Sequence, residues 1–252
     1  IAASKSDVEI LRKVVDILYQ NKVQYEFRVC SAHRTPEMLD SILAEKNYEV
    51  IITAAGLAAA LPGVVAAKTT APVIGVPLTG AFEGLDALLS IIQMPPGIPV
   101  LTTGVNNSEE AGKTAIAILN CKAKRVTLAA AKGKSQKAID KAKDILNAFQ
   151  IPCESGATGK KDSINIQFVD INEKKPPQHT GLTIFCPTTE KDSANDAVRL
   201  LNLTKEGVWV GLNRGENAAV AAAEIMRKRE ELAGYRKIMR QKVEEADNEV
   251  HG

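Results

Sequence analysis

The sequence predicts an α/β protein: a three-layer αβα sandwich on a parallel sheet, flavodoxin- or Rossmann-like, duplicated along the chain and closed by a C-terminal helix. Two observations predict this class. Short apolar runs without polar alternation, as in strands buried on both faces, alternate with segments of helical period. Landmarks of the first half then recur in the second in the same order.

Ala2-Ala3 ends the first strand; the chain begins inside that strand at Ile1, without a methionine, so further residues are expected upstream. A helix follows over 7–19, where Val8, Leu11, Val14, Val15 and Leu18 share one face and Ser6 or Asp7 is placed as the cap. A strand at 24–29 leads through a polar loop into a helix over 36–43, and further strands are expected at 50–55, 73–76 and 99–103. In the second half the strand candidates are 126–130, 164–169, 182–185 and 208–211, and the helices 135–149 and 216–226. The tail, 227–249, carries seven basic and six acidic residues, with Leu232, Tyr235, Met239 and Val243 on one stripe. A helix with so narrow a seam packs on a neighbour, either its own domain or another subunit.

Four sets of landmarks carry the repeat. Ala2-Ala3 and Asp16-Ile17-Leu18 recur at an offset of 128 as Ala130-Ala131 and Asp144-Ile145-Leu146. Pro77-Leu78-Thr79 and Asp86-Ala87 recur at 110 as Pro187-Thr188-Thr189 and Asp196-Ala197. Gly104-x-Asn106-x-x-Glu109-x-Ala111 recurs at 107 as Gly211-x-Asn213-x-x-Glu216-x-Ala218. A shrinking offset in constant order is what a duplication leaves when its second copy loses about 20 residues. We therefore expect domains at 1–122 and 123–226, joined near 120–124, and a separate tail at 227–252.

Composition narrows the partners. At 45% apolar and 25% charged, 252 residues allow one large globular domain or two of roughly 125. The net charge is +2 and aromatics make up 4%, so neither a phosphate-backbone footprint nor a row of base-stacking platforms exists, and no nucleic acid is expected. No run approaches the roughly 20 apolar residues of a membrane span, so no membrane is expected. Cys30, Cys121, Cys153 and Cys186 stand apart without a CxxC pair, which excludes a zinc knuckle and argues against a disulfide framework. No signal peptide is visible, and the cytoplasm is the expected compartment. His179 and His251 lack clustered carboxylates or thiols, so no metal is expected. GxGxxG, Walker A and GxSxG are absent, which argues against dinucleotide, ATP and serine-hydrolase chemistry.

In an open α/β sheet, ligands bind where loops leave the carboxyl ends of the strands. Three loops of the first half hold that position. Ala3-Ser4-Lys5-Ser6-Asp7 offers small residues, the Ser4 hydroxyl and a helix start with free N–H groups; it is either a ligand loop or an ordinary cap. Cys30-Ser31-Ala32-His33-Arg34-Thr35-Pro36 sets Ser31 and Arg34 at a helix start, an arrangement suited to phosphate. His33 between them is the one histidine of the first 178 residues, either a structural group or a proton shuttle working near neutrality. The third loop, running from Ala54 through Ala60, Leu61 and Pro62 to Gly63, offers backbone N–H groups and an apolar wall, or simply a packed helix start. Downstream, Gln93-Met94-Pro95-Pro96-Gly97 is a rigid turn that closes a lid or ends a helix.

Five motifs stand in order: Ser4-Lys5-Ser6-Asp7, Ser31-Ala32-His33-Arg34-Thr35-Pro36, Leu61-Pro62-Gly63-Val64-Val65-Ala66, Pro72-Val73-Ile74-Gly75-Val76-Pro77, and Gln93-Met94-Pro95-Pro96-Gly97-Ile98-Pro99-Val100. Together, over about residues 1–120, they resemble the catalytic subunit of phosphoribosylaminoimidazole carboxylase, of the N5-carboxyaminoimidazole ribonucleotide mutase type. The second half resembles a degenerate copy, with Asn217-Ala218-Ala219 like the family's usual helix start.

The resemblance implies a purine-biosynthesis enzyme without metal or organic cofactor, acting on a small nucleotide substrate and carbon dioxide. It implies His33 as acid and base, Ser4 and Asp7 on the ribose phosphate portion, and Arg34 with Ser31 on the phosphate. Ala60 and Leu61 would line the carbon dioxide side, where water must be kept out. It also implies a homo-oligomer, since family members form octamers whose sites combine residues of neighbouring subunits; a tandem chain would give a tetramer or an octamer-like ring. Two positions depart from the pattern: Ala60 replaces a histidine usual before Leu-Pro-Gly, and Ala3 replaces a glycine. The first departure opens the alternative of a direct carboxylase using free carbon dioxide, while Arg34, usually lysine in carboxylases, favours the mutase; a non-catalytic nucleotide-phosphate-binding protein is the other alternative, against which His33 beside Arg34 argues. At the 128 offset Ser4 and Asp7 correspond to Lys132 and Ser135, and 154–161 holds no Ser-Ala-His-Arg, so the second copy is expected to lack catalysis.

Overall fold

The computed structural model describes residues 1–130 and 136–251. In the first half, β1 (Ile51–Ala55), β2 (Val73–Pro77) and β3 (Leu101–Thr102) run parallel, and single bridges from Ala54 to Ala2 and from Ala2 to Val29 carry the sheet outward. In the second half, β4 (Val126–Ala129), β5 (Cys153–Gly156), β6 (Ile164–Asp170), β7 (Thr183–Thr188) and β8 (Val208–Trp209) are likewise parallel. The halves meet edge to edge. Thr102 of β3 pairs antiparallel with Trp209 of β8, giving one eight-stranded sheet in the order β1-β2-β3-β8-β7-β6-β4-β5. Counting Val29 and Ala2 as strand positions, each half runs 2-1-3-4-5 in its own chain order.

Alternation along the strands divides the core. On one face α1 (Val8–Gln20) packs on α5 (Ser108–Leu119), and α6 (Gln136–Ala148) on α8 (Gly215–Ile225), over a cluster running unbroken from Ala2 to Val210. On the other face lie α2 (Pro36–Glu45), α3 (Leu61–Lys68), α4 (Leu85–Ile92) and α7 (Asn195–Leu203); Leu88 and Ile92 of α4 share a cluster with Phe185, Leu200 and Trp209 of the second half. The second half thus has one helix on this face where the first has three. Residues 157–163 join β5 to β6 and 171–182 join β6 to β7 without any helix. Loop backbone cannot satisfy its own polar groups as a helix does, and the sheet beneath is correspondingly polar. Buried Asn165 accepts from the Lys160 N–H at 2.7 Å and donates to the Thr180 carbonyl at 2.7 Å, while Thr127 and Ser163 share a 2.7 Å hydroxyl contact.

The expected elements are present with shifted ends, apart from three differences. Residues 24–28 form no strand, because Ala2 alone bridges to Val29 in the neighbouring position. Neither Ser6 nor Asp7 caps α1 with its side chain; a 3₁₀ turn at Lys5–Asp7 runs straight into the helix. The strand β5 beyond β4 was not anticipated. Ala131, Lys132 and Ser135, the expected counterparts of Ala3, Ser4 and Asp7, lie outside the described residues.

The tail forms α9 (Arg229–His251). Its first three turns lie against their own chain: Leu232 is buried, Tyr235 meets Phe149 edge-on at 5.5 Å, and Arg236 pairs with buried Glu224 at 2.8 Å while donating to the Thr69 carbonyl. Met239 and Tyr235 press on Gly97, where a Cβ would come within 3 Å of both side chains. Beyond Met239 the helix is exposed.

Candidate active site

The three predicted loops leave the carboxyl end of the first half's sheet. Ser4, half-buried, opens the 3₁₀ turn; its hydroxyl lies 2.6 Å from that of Ser6, which in turn donates to the Asp7 carboxylate at 3.2 Å. The second loop is tied internally. The Ser31 N–H donates to Thr35 Oγ1 at 3.0 Å, and that hydroxyl donates back to the Ser31 carbonyl at 3.1 Å, closing the turn ahead of α2. Arg34 approaches the Ser31 hydroxyl with its backbone N–H at 3.3 Å and with Nε at 3.4 Å, and its Nη2 reaches the Ala3 carbonyl at 3.5 Å. One guanidinium therefore spans the first and second loops. His33, beside it, is exposed, and Cys30 behind it is buried.

The structure thus brings Ser4, Asp7, Ser31, His33 and Arg34 to one rim. Ala60 stands at the same end of β1 as the residue before α3, its N–H donating to the Ala58 carbonyl at 2.7 Å. Leu61, expected beside Ala60 in the third loop, begins α3. It is 2% exposed and packs with Val65, Ile91 and Met94, so only its backbone can contribute at the rim.

Two residues were not singled out for the site, Asn106 on this rim and Asn213 at the equivalent place in the second half, on the opposite rim. Asn106, left-handed at φ 58°, accepts from the Thr79 N–H at 3.0 Å and donates to the Thr79 hydroxyl at 2.6 Å, joining the loops after β2 and β3. Asn213, at φ 59°, accepts from the Thr189 N–H at 3.0 Å in the same way, and the two backbone N–H groups donate to Pro77 and Pro187 at 2.8 Å each. The GxN signal in the repeat marked both residues; their role in a turn needed the left-handed preference of Asn to be applied.

The Gln93–Gly97 turn is no lid. Buried Asn217 accepts from the Gly97 N–H at 2.7 Å and donates to the Met94 and Pro95 carbonyls at 3.3 and 3.0 Å, while Gln93 accepts from the Leu212 N–H at 3.1 Å. These bonds pin the turn to the second half, on the rim opposite the three loops, since β8 runs antiparallel to β3. A cavity of about 440 Å³ also lies away from the loops, between α1, α5 and residues 23–28 and 46–52. Its charged lining is satisfied: Lys46 and Arg28 hold the Glu26 carboxyl down at about 2. Among the described residues no three His, Cys, Asp or Glu side chains cluster to hold a metal, and no helix is long and apolar enough to cross a membrane.

A family model described as AIR carboxylase matches residues 1–139. An N5-carboxyaminoimidazole ribonucleotide mutase from Methanocaldococcus jannaschii is 52% identical over 122 residues, 48% of this chain and 78% of that protein. The mutase from Saccharolobus solfataricus is 48% identical over 130 residues, 50% of this chain and 82% of that protein. A chloroplastic phosphoribosylaminoimidazole carboxylase from Vigna aconitifolia is 46% identical over 123 residues, 47% of this chain and 22% of that protein.

Proposed function

Because the chain belongs to the AIR carboxylase family, we propose that it converts N5-carboxyaminoimidazole ribonucleotide to 4-carboxyaminoimidazole ribonucleotide, by decarboxylation and recarboxylation at the rim of its first half. The carbamate C–N bond breaks with its electron pair left on nitrogen, which takes a proton from His33. Carbon dioxide is released and held while the imidazole C4 attacks it, and His33 then removes the C4 proton, returning to its starting state. Arg34 and Ser31 grip the phosphate, Ser4 and Asp7 the ribose phosphate portion, and the wall at Ala60, with the backbone of Leu61, keeps water from the released gas.

The observation that carries this reading is the Arg34 guanidinium spanning Ser31 and the Ala3 carbonyl, with exposed His33 beside it. A phosphate arriving there meets a charge-assisted donor already aimed by its neighbours, and it sets the base next to it within reach of the ring. We further infer that the second half is a non-catalytic copy, bounded near 123–226, and that the chain assembles as a homo-oligomer, a tetramer of tandem chains or an octamer-like ring. Support for the copy comes from the shared strand order, the matched Asn106 and Asn213 turns, and the seam in which Thr102 pairs with Trp209, the residue at the same 107 offset as the GxN repeat.

The test supplies the carbamate substrate, or aminoimidazole ribonucleotide with bicarbonate, to the intact chain and to its His33→Asn variant. The expected result is turnover of the carbamate, falling by about 10²–10⁴-fold in the variant while product binding stays within about twofold. Turnover of the second pair at physiological carbon dioxide would instead assign the carboxylase that Ala60 leaves open. Unchanged turnover in the variant would remove His33 from the mechanism.

A further inference from the structure

Helix α9 leaves the body of the molecule after Met239, and its last twelve residues, 240–251, extend about 18 Å into solvent. Along this stretch the apolar residues are spaced four, three and four apart: half-buried Met239, then exposed Val243, Ala246 and Val250. Val243 is 70% and Val250 82% exposed. That spacing is a heptad seam, with Val243 and Val250 at a and Met239 and Ala246 at d. Gln241, Glu244, Glu245 and Asn248 then fall on the far side, and all are polar. The residues flanking the seam are Arg240 and Asp247 at e, Lys242 and Glu249 at g.

The flanking charges decide what covers the seam. In an antiparallel pair of this segment with itself, a faces d, e faces e and g faces g across the dyad. Val243 then packs on Ala246 of the second copy and Met239 on Val250, while Arg240 faces Asp247 and Lys242 faces Glu249. Every flanking position meets its opposite charge, twice over by symmetry. A parallel pair sets only Lys242 against Asp247 and leaves Glu249 without a basic partner from the segment. Basic residues at the inner end and acidic residues at the outer end thus make the segment complementary to its own reverse.

We propose that the projecting turns of α9 pair antiparallel with the same segment of a second copy of this chain, as a short two-stranded coiled coil. The pairing stands on α9 alone and does not depend on the reaction proposed for the first half. Two full-length variants, Val243→Cys and Ala246→Cys, are mixed at equal concentration, oxidised mildly, and run beside each variant and the unsubstituted protein alone. The expected result is a disulfide-linked dimer in the mixture at least tenfold above any single sample, because a antiparallel to d brings 243 to 246 and neither residue to itself. In that background K242E or E249K alone lowers the linked yield, and the two together restore it. No link in the mixture overturns the proposal. So does Val243→Cys linking to itself, which a parallel pair would give, or failure of the double reversal to restore the yield.

Discussion

Asn217 carries more of the fold than its residue type announces. Its buried amide meets an N–H and two carbonyls of a turn more than 100 residues earlier in the chain. Asn217→Ala takes the partner from all three groups, two of them in buried bonds, at about 1–3 kcal/mol for each group fully orphaned. We expect a loss of about 3 kcal/mol or more in urea unfolding, with turnover at the opposite rim changed little. Sequence marked Asn217 as a helix start and the Met94–Gly97 turn as rigid, but nothing local says that the two meet. The second loop is the contrary case: Ser31, Arg34 and Thr35 lie three and four residues apart, and chain geometry alone brings them together. Leu61 shows where residue type misleads, since a motif that supplies a ligand loop also supplies the first core residue of α3.

Among the elements, α9 is tied to both halves by one largely buried side chain, Arg236. Arg236, 13% exposed at its side chain, meets Glu224, 3% exposed, at 2.8 Å, and donates to the Thr69 carbonyl as well. Burial drives the Glu224 carboxyl well above its usual range, and Arg236 opposes that drive. Arg236→Met leaves the carboxylate without a partner, so we expect a loss of about 3–5 kcal/mol at neutral pH. The sign with pH follows from the raised value: the penalty belongs to the charged carboxyl. It shrinks as pH falls toward the ordinary carboxylate range, and the difference between variant and parent narrows when urea curves at pH 7 and pH 4 are compared. Helices with a clean apolar face, such as α1 with Leu11, Val14 and Leu18, were legible because period 3.6 is a property of the segment itself. The strand expected at 24–29 was not, since a ladder needs a neighbour, and Ala2 alone bridges to it. β5 escaped for a related reason: Cys153–Gly156 is half-polar at a sheet edge, where no buried run is required.

At the scale of the molecule, one sheet and one unbroken apolar cluster run through both halves. Leu88 and Ile92 from the first half and Phe185 and Trp209 from the second fill a shared pocket of core, with the two aromatic rings stacked at 4.7 Å. Neither half can unfold without exposing the other's core and the β3 edge. We therefore expect a single calorimetric transition with matching van't Hoff and calorimetric enthalpies; two resolved transitions would show halves that melt on their own. The repeat announced two related units, but the joint that fuses them into one sheet rests on a single pair, Thr102 and Trp209, which no pattern along the chain marks.

That antiparallel joint sets the turn entering β8, rather than the loops leaving it, against the rim of the first half. Gly104 has no room for a Cβ there, since Thr204 O and Lys205 Cα would each lie 2.9 Å away, and Asn107 donates to the Lys205 carbonyl at 2.9 Å. Asn106 stands on the same stretch of backbone and holds Thr79 of the loop after β2. The length of the turn at 204–207 therefore works as a gauge block: a residue inserted there would wedge Gly104 outward and carry Asn106, with its hold on Thr79, away from its place. The rim at which we propose that the nucleotide binds is thus held to width in part by a turn of the other half.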